Sequence, residues 1–107
     1  MTADDGLKNV TIRNDEMIRQ NPRSTFRELA QGSGGVLLHL DTAAYHGLNE
    51  MGVAIWSLIE PGITFGALIE ALRGQIADAP ASLGDDVATF LAELRQRDLV
   101  LIGDDGA

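Results

Sequence analysis

The stretch from residue 34 to residue 56, GGVLLHLDTAAYHGLNEMGVAIW, constrains the fold of this chain more than any other. In residues 36–41, the side chains of Val36, Leu38 and Leu40 alternate with those of Leu37, His39 and Asp41. This period of two is typical of a strand. Asp41 and Thr42 are residue types that favour a turn, and residues 43–48 form a second extended run. The sequence therefore predicts a β-hairpin here.

A helix is predicted to follow the hairpin directly. The side-chain oxygen of Asn49 can accept a hydrogen bond from an otherwise unpaired amide in the first helical turn. After it, apolar residues recur at helical spacing, at Met51, Ile55, Leu58 and Ile59, with Trp56 beside them. We expect the other elements of the fold to be arranged around the hairpin and this apolar helix.

The remaining predicted elements lie on both sides of this unit. Residues 24–29 alternate as a strand, and the glycine-rich residues 31–35 form a hairpin loop rather than a phosphate-binding loop, which would need a GK[ST] ending. Thr64 caps a second helix whose apolar stripe runs from Phe65 to Ile76. Residues 78–84, DAPASLG, are predicted to be a loop of small residues. The third helix follows this loop with Asp85 and Asp86 in its first turn, where negative charge suits the helix dipole, and a short extended run over 99–102 closes the chain. The predicted fold class is α+β, with a three-stranded antiparallel sheet followed by three helices.

The N-terminal part of the chain is polar and shows little periodicity. Two short β-prone runs, residues 10–12 and 17–18, are equally consistent with strands and with irregular structure. We therefore predict a partly ordered N-terminal extension over 1–22, a folded domain over 23–102 and an acidic tail over 103–107.

Composition excludes several classes of function. The chain has 107 residues, a formal net charge of −8 and no cysteine. A nucleic-acid-binding protein needs cations against phosphates, so this charge argues against nucleic acid as a partner. The lack of cysteine excludes disulfides, thiolate catalysis and cysteine-ligated zinc. With no apolar run of about 20 residues and no secretory pattern at the N-terminus, we expect a cytoplasmic protein without a membrane partner.

No constellation in the sequence predicts catalysis. His39 and His46 flank the hairpin turn, and with Asp41 they could form a metal site. The favoured interpretation is two partly exposed polar side chains on the solvated side of a sheet. Ser57 lies in the middle of a helix, without the glycine-flanked turn that exposes a catalytic serine. We therefore expect no metal, no cofactor and no enzymatic activity.

A binding surface is the alternative that remains. An exposed edge strand presents unpaired amide and carbonyl groups that can accept a peptide as an additional strand. Residues 43–47 are the candidate edge because they are short, follow a turn and carry small side chains. On the third helix, Asp86, Phe90, Glu93 and Arg97 share one face. From the residues alone, a core Phe90 with solvated charges around it is the favoured interpretation of that face.

The central stretch also resembles a known family. LLHLDTAAYHGLNEMGVAIW is similar to the hallmark of PqqD-like proteins, the RiPP recognition elements that bind leader peptides. The ending FLAELRQRDLV, residues 90–100, resembles the last helix of that family, and residues 26–29 resemble its first strand. The resemblance covers about residues 24–101. Its matching positions are Leu37, Leu38, Leu40, Asp41, Thr42, Tyr45, Gly47, Leu48, Asn49, Gly52, Ile55 and Trp56.

Four positions depart from the family pattern. Ala43 and Asp98 stand where the family commonly has glycine, so both backbones must tolerate a Cβ in the turn conformations that glycine favours. His46 replaces a frequent tyrosine, and His39 replaces a frequent acidic residue. We expect these changes to alter the preferred leader sequence rather than the fold.

The resemblance implies a winged helix-turn-helix-like domain that binds the leader of a ribosomally synthesised precursor peptide by strand addition. It implies a modifying enzyme as second partner, such as a radical SAM enzyme or a leader peptidase, and an exposed edge that can exchange strands into a homodimer. The predicted peptide-binding residues are Ala43, Ala44, Tyr45, His46, Gly47, Asp86, Phe90, Glu93, Leu94 and Arg97.

Three other classes of function compete with leader binding. A winged-helix transcription regulator would bind DNA in a salt-dependent manner, which the net charge of −8 disfavours. A general protein-interaction domain would use the same exposed edge. A metal-assisted hydrolase would depend on His39 and His46.

Overall fold

The computed structural model describes residues 12–30 and 33–105 of the chain. In chain order, the strands and helices within these residues are β1 (Met17–Gln20), β2 (Ser24–Glu28), β3 (Gly35–His39), β4 (Tyr45–Leu48), α1 (Glu50–Ile59), β5 (Ile63–Thr64), α2 (Phe65–Gln75), α3 (Leu83–Gln96) and β6 (Val100–Ile102). The α+β class is confirmed, with the predicted hairpin leading directly into α1.

The hairpin forms two strands of a three-stranded antiparallel sheet in the order β2-β3-β4. Leu37, which is fully buried, lies at its centre, opposite Phe26 on one side and His46 on the other. Gly34, the residue before β3, has a left-handed φ of 83°. A Cβ there would overlap the carbonyl oxygen of Leu48. Only glycine therefore allows the loop to pass this close to the end of β4.

A second three-stranded sheet, in the order β5-β1-β6, was not predicted. Ile18 is at its centre, paired with Ile63 on one side and Ile102 on the other, and its side chain is fully buried. The run at residues 17–18 is thus part of a strand, whereas residues 10–11 lie outside the described residues. The pairing of strands of two to four residues cannot be predicted from their periodicity, because the pattern is too short. A single sheet was predicted for this reason. With this second sheet, the winged helix-turn-helix description fits only loosely.

The described part of the predicted N-terminal extension includes β1. Its pairing with β5 and β6 places residues 17–20 inside the folded unit, whereas residues 1–11 lie outside the described residues. Asn21 continues the link, since its side chain donates to the carbonyl oxygen of Asp98 at 2.7 Å. The domain boundaries at residues 22 and 102 stay a prediction.

The predicted helix caps are present. The Asn49 side chain accepts a hydrogen bond from the amide of Gly52 at 2.8 Å, and the Thr64 hydroxyl accepts one from the amide of Ala67 at 3.3 Å. α3 begins two residues earlier than predicted, so that Gly84 lies in its first turn. None of the helices in the described part of the chain is long and apolar enough to cross a membrane.

The hydrophobic core lies between the helices and the two sheets. Each helix buries one apolar stripe, and Trp56 is only 5% exposed. The fully buried side chains are Ile18, Leu37, Ile59, Leu68, Leu72, Leu91, Leu94 and Leu99. Because the three helices and both sheets contribute to it, this core fixes α3 relative to the hairpin.

His39 is buried, which corrects the prediction of a solvated side chain. It is 2% exposed, and its Nε2 lies 2.9 Å from the carboxylate of Asp98. Its Nδ1 lies 3.0 Å from the amide of Asp41 and 3.3 Å from that of Thr42. An atom that accepts from backbone amides cannot carry a proton, so Nε2 is the donor to Asp98. His39 therefore ties the hairpin turn to the residue that follows α3.

The described residues contain no cluster of side chains that could hold a metal ion. The histidines do not face each other across the hairpin, because His46 lies opposite Leu37 and His39 bonds to Asp98. The metal site considered from the sequence therefore has no counterpart in the described residues.

Substitution of Asp98 should separate the loss of a hydrogen bond from the backbone strain at this position. Asp98→Ala and Asp98→Gly both leave Nε2 of the buried His39 without its partner, which costs about 1–3 kcal/mol. Asp98 has a left-handed φ of 58°, a conformation that alanine adopts at a further cost of about 1–2 kcal/mol and glycine adopts freely. Chemical denaturation should therefore show the alanine variant to be the less stable of the two. Equal free energies of unfolding would contradict the assignment of backbone strain at this position.

Candidate functional site

β4 is an edge strand with a defined set of free backbone groups. Within the described residues it pairs with β3 on one side and with no strand on the other. The amide of His39 donates to the carbonyl oxygen of Ala44 at 2.8 Å, which makes these two residues a hydrogen-bonded pair. Since bonded and non-bonded pairs alternate in an antiparallel ladder, Tyr45 and Gly47 are non-bonded towards β3. Their amide and carbonyl groups therefore point to the open edge.

Ala43 and Ala44, two of the predicted peptide-binding residues, lie in the turn and not in the strand. Ala43 has a left-handed φ of 63°, and its amide donates to the carbonyl oxygen of His39 at 2.9 Å. The amide of Ala44 donates to the Thr42 hydroxyl at 3.1 Å. The edge that can accept another strand therefore begins at Tyr45, two residues later than predicted.

The side chain of His46 faces α3, and the surface between β4 and α3 that is lined by His46, Phe90 and Arg97 is called the groove. Its ring centroid lies 6.1 Å from that of Phe90 in an edge-on arrangement, and its Nδ1 lies 3.2 Å from Nη1 of Arg97. Because arginine has only donors, Nδ1 of His46 is the acceptor in this contact. These three side chains connect β4 to α3 and form the floor of the groove.

An apolar pocket of about 270 Å³ opens at the other end of the groove, beside the first turns of α1 and α3. Gly52 lies in its wall, where a Cβ would come within 3.1 Å of Leu48 and 3.4 Å of Phe90. The absence of a side chain at Gly52 thus lets α1 pack closely against Leu48 at the end of β4. The apolar lining residues are Met51, Ile55, Ile76, Pro80, Leu83 and Val87. The pocket is large enough for one bulky apolar side chain.

The predicted residues of α3 divide into two groups. Asp86 lies at the rim of the pocket, Phe90 lies between pocket and groove, and Arg97 is exposed at the far end. Glu93 is half-buried on the same side of the helix. Leu94 is fully buried in the core, so its inclusion among the surface contacts is wrong.

Tyr45 points away from the groove. Its side chain is 72% exposed and shares the outer face of the sheet with Leu38, whereas His46 and Leu48 face the helices. Of the predicted strand residues, Tyr45 and Gly47 thus offer backbone groups to the edge. His46 is the one that offers a side chain to the groove.

Sequence reasoning missed most of the pocket. Ile76 and Pro80 lie near or within a segment of small residues that was interpreted as a simple loop, and Leu83 was placed in that loop instead of in α3. An available signal was Met51, a large apolar residue in the first turn of α1 that is 37% exposed. An exposed methionine beside Gly52 is consistent with an adaptable binding surface.

The stability of the fold should depend on pH through His46. Burial, followed by the charge of Arg97, lowers the pKa of His46 below its usual value of 6.5, and Glu93 opposes this in part. Between the two pKa values the unfolded chain binds more protons than the folded chain, so stability falls as the pH decreases through this window.

His46→Asn should weaken this pH dependence. We expect the free energy of unfolding to fall less between about pH 7.5 and about pH 5.5 in the variant than in the unchanged protein. Denaturant titrations at both pH values measure the difference. An equal or steeper fall in His46→Asn would contradict a lowered pKa.

Comparisons with known proteins identify a family and a similar structure. A family model described as Coenzyme PQQ synthesis protein D (PqqD) matches residues 34–100, which span the hairpin, all three helices of the described chain and the first residue of β6. Among solved structures, the chain is similar to "TbiB1 in Complex with the TbiA(beta) Leader Peptide", with a TM-score of 0.67 and 27% sequence identity over 77% of this chain and 93% of that chain. No curated protein sequence matches. The chain belongs to the PqqD family.

Proposed function

We propose that this protein binds the leader of a ribosomally synthesised precursor peptide by adding it as a strand to β4. The protein itself is non-catalytic in this proposal and holds the leader for a modifying enzyme. The observation that carries the proposal is the open edge of β4 lying beside a groove and pocket on α3.

The free backbone groups support a peptide in extended conformation. Tyr45 and Gly47 each direct one amide and one carbonyl group to the edge. A peptide strand that pairs with both residues satisfies four backbone groups at once. Main-chain pairing of this kind supplies affinity that depends little on the peptide sequence.

The groove supports selectivity for side chains. Every second side chain of an added strand would face α3, because side chains alternate across a strand. The pocket beside Gly52 would hold an apolar side chain, and His46 with Arg97 would meet a polar one. Together these contacts would distinguish one leader from another.

The similar structure supports a leader as the occupant. TbiB1 is described in complex with the TbiA(beta) leader peptide, and 93% of that chain is covered by the similarity to this one. Membership of the PqqD family points in the same direction. We extend the leader-binding role to this chain on the strength of its own open edge.

Delivery to an enzyme follows from binding at one edge. A leader added as a strand pairs with β4 through only a few of its residues. The segment of the precursor peptide that follows them remains free to reach a second protein. We propose a radical SAM enzyme or a leader peptidase as that partner. The same edge can pair with β4 of a second copy, and such a homodimer would compete with the leader.

Proline at position 45 should weaken leader binding without breaking the hairpin. The amide of Tyr45 points to the open edge, so Tyr45→Pro removes a donor to the leader and leaves the ladder with β3 intact. Loss of one hydrogen bond, with an unpaired leader carbonyl, should weaken affinity by about tenfold. Fluorescence titration with a labelled leader peptide from a neighbouring precursor gene measures the change.

Glu28→Pro provides a matched control. Glu28 lies on β2, the opposite edge of the same sheet, in a non-bonded pair with Gly35. Its amide therefore also faces away from the sheet. We expect the affinity for the leader to be unchanged in this variant. Equal affinities of the folded Tyr45→Pro variant and the unchanged protein would exclude β4 as the docking strand.

A further inference from the structure

Among the described residues, Arg97 has no carboxylate partner, and it lies at the far end of the groove. Its contact with His46 uses one of its five N–H donors. In the described part of the chain, no carboxylate lies within 4.0 Å of its guanidinium, which is also true of Arg19, Arg27 and Arg73 but not of Arg13, Arg23 and Arg95. The remaining donors of Arg97 are available to an incoming group.

Two side chains of opposite charge, Asp86 and Arg97, lie at the two ends of the groove. Asp86 lies at the rim of the apolar pocket, beside the start of α1. Arg97 lies at the other end, next to Asp98, which bonds to His39 at the hairpin turn. α3 therefore runs antiparallel to β4, with its beginning at the pocket and its end at the turn. A peptide that pairs antiparallel to β4, as the other strands of this sheet pair, would run from the pocket towards Arg97.

We propose that Arg97 selects a leader with an acidic side chain four residues after the apolar side chain that fills the pocket. The inference rests on the proposed function, because it takes strand addition to β4 as given. Arg97 can bind a carboxylate through two parallel N–H donors, a geometry that favours Asp or Glu over a neutral side chain.

The separation of four residues follows from the lengths of helix and strand. Asp86 and Phe90 border the pocket, and at 1.5 Å per residue they precede Arg97 by roughly 16 Å and roughly 10 Å along the helix axis. A strand advances about 3.4 Å per residue, so this distance corresponds to about three to five peptide residues. Within this range, only a separation of four places both peptide side chains on the face of the strand that faces α3, because side chains alternate across a strand.

His46 is a positioning residue for Arg97. Its Nδ1 accepts from Nη1 of Arg97, and its ring lies edge-on against Phe90. A lowered pKa keeps this ring neutral and able to accept. The guanidinium is thereby held at the groove, where an arginine on a free stem would sample many rotamers.

Selection from a phage-displayed library of random dodecapeptides tests the inference on the full chain. The unchanged protein should enrich peptides with an apolar residue at one position and Asp or Glu four residues later. Selection with the Arg97→Glu variant should enrich peptides that have Lys or Arg in place of the acidic residue and keep the apolar residue. Arg73→Glu makes the same charge change on α2, outside the pocket lining, and should enrich the same peptides as the unchanged protein.

Titrations with synthetic peptides give the size of the effect. Replacing the acidic residue of an enriched peptide by lysine should weaken binding about fivefold or more to the unchanged protein and strengthen binding to Arg97→Glu. His46→Phe, which keeps a ring against Phe90 but removes the acceptor, should reduce the preference for the acidic residue and not that for the apolar one.

The outcomes separate this inference from the proposed function. The enriched peptides could lose affinity for Tyr45→Pro and yet show no acidic preference, or show one that Arg97→Glu does not reverse. Either result would overturn the role of Arg97 and leave strand addition intact. An acidic residue enriched four positions before the apolar one would overturn the antiparallel order. Failure to enrich any peptide that depends on the β4 edge would overturn the proposed function and the inference with it.

Discussion

The hydrogen bond from the amide of His39 to the carbonyl oxygen of Ala44 sets the phase of the β3–β4 ladder. Because bonded and non-bonded pairs alternate, this bond leaves the backbone groups of Tyr45 and Gly47 free at the edge. The same phase directs the side chain of His46 to α3. A shift of one residue would reverse every side chain and present a different set of backbone groups. Both the free edge and the chemistry of the groove therefore depend on the turn between the two strands.

That turn is stabilised from within the hairpin and from the end of α3. The left-handed Ala43 closes it through its bond to the His39 carbonyl, while the His39 ring accepts from the turn amides and donates to Asp98. His39 and Asp98 both depart from the pattern that the sequence resembles, and they contact each other. The pair links the hairpin directly to the end of α3. Such a link holds the width of the groove, since it joins the two elements that form its walls.

The parts of the fold that depend on local sequence were predictable. The hairpin, the Asn49 and Thr64 caps and the start of α1 all follow from residue types within a few positions of one another. The second sheet was not predicted, because strands as short as β5 become visible only when their distant partners are known. Element type was thus better predicted than element pairing.

The candidate site was predicted in part, for reasons that particular residues make clear. Both faces of β3 carry apolar side chains, so alternation alone did not reveal that Leu37 and His39 face the core while Leu38 faces out. The position of Leu94 on α3 suggested a surface contact, yet packing of both sheets against the helix buries it completely. The pocket joins residues from α1, α2 and α3 and their connections, which no local pattern brings together.

Amide hydrogen exchange at single-residue resolution tests strand addition to β4 most directly. In the free protein, Tyr45 and Gly47 should exchange faster than His46 and Leu48, whose amides bond to β3. Binding of a leader peptide should slow exchange at Tyr45 and Gly47 selectively. Slowed exchange elsewhere, with both of these amides unchanged in the complex, would contradict docking at this edge.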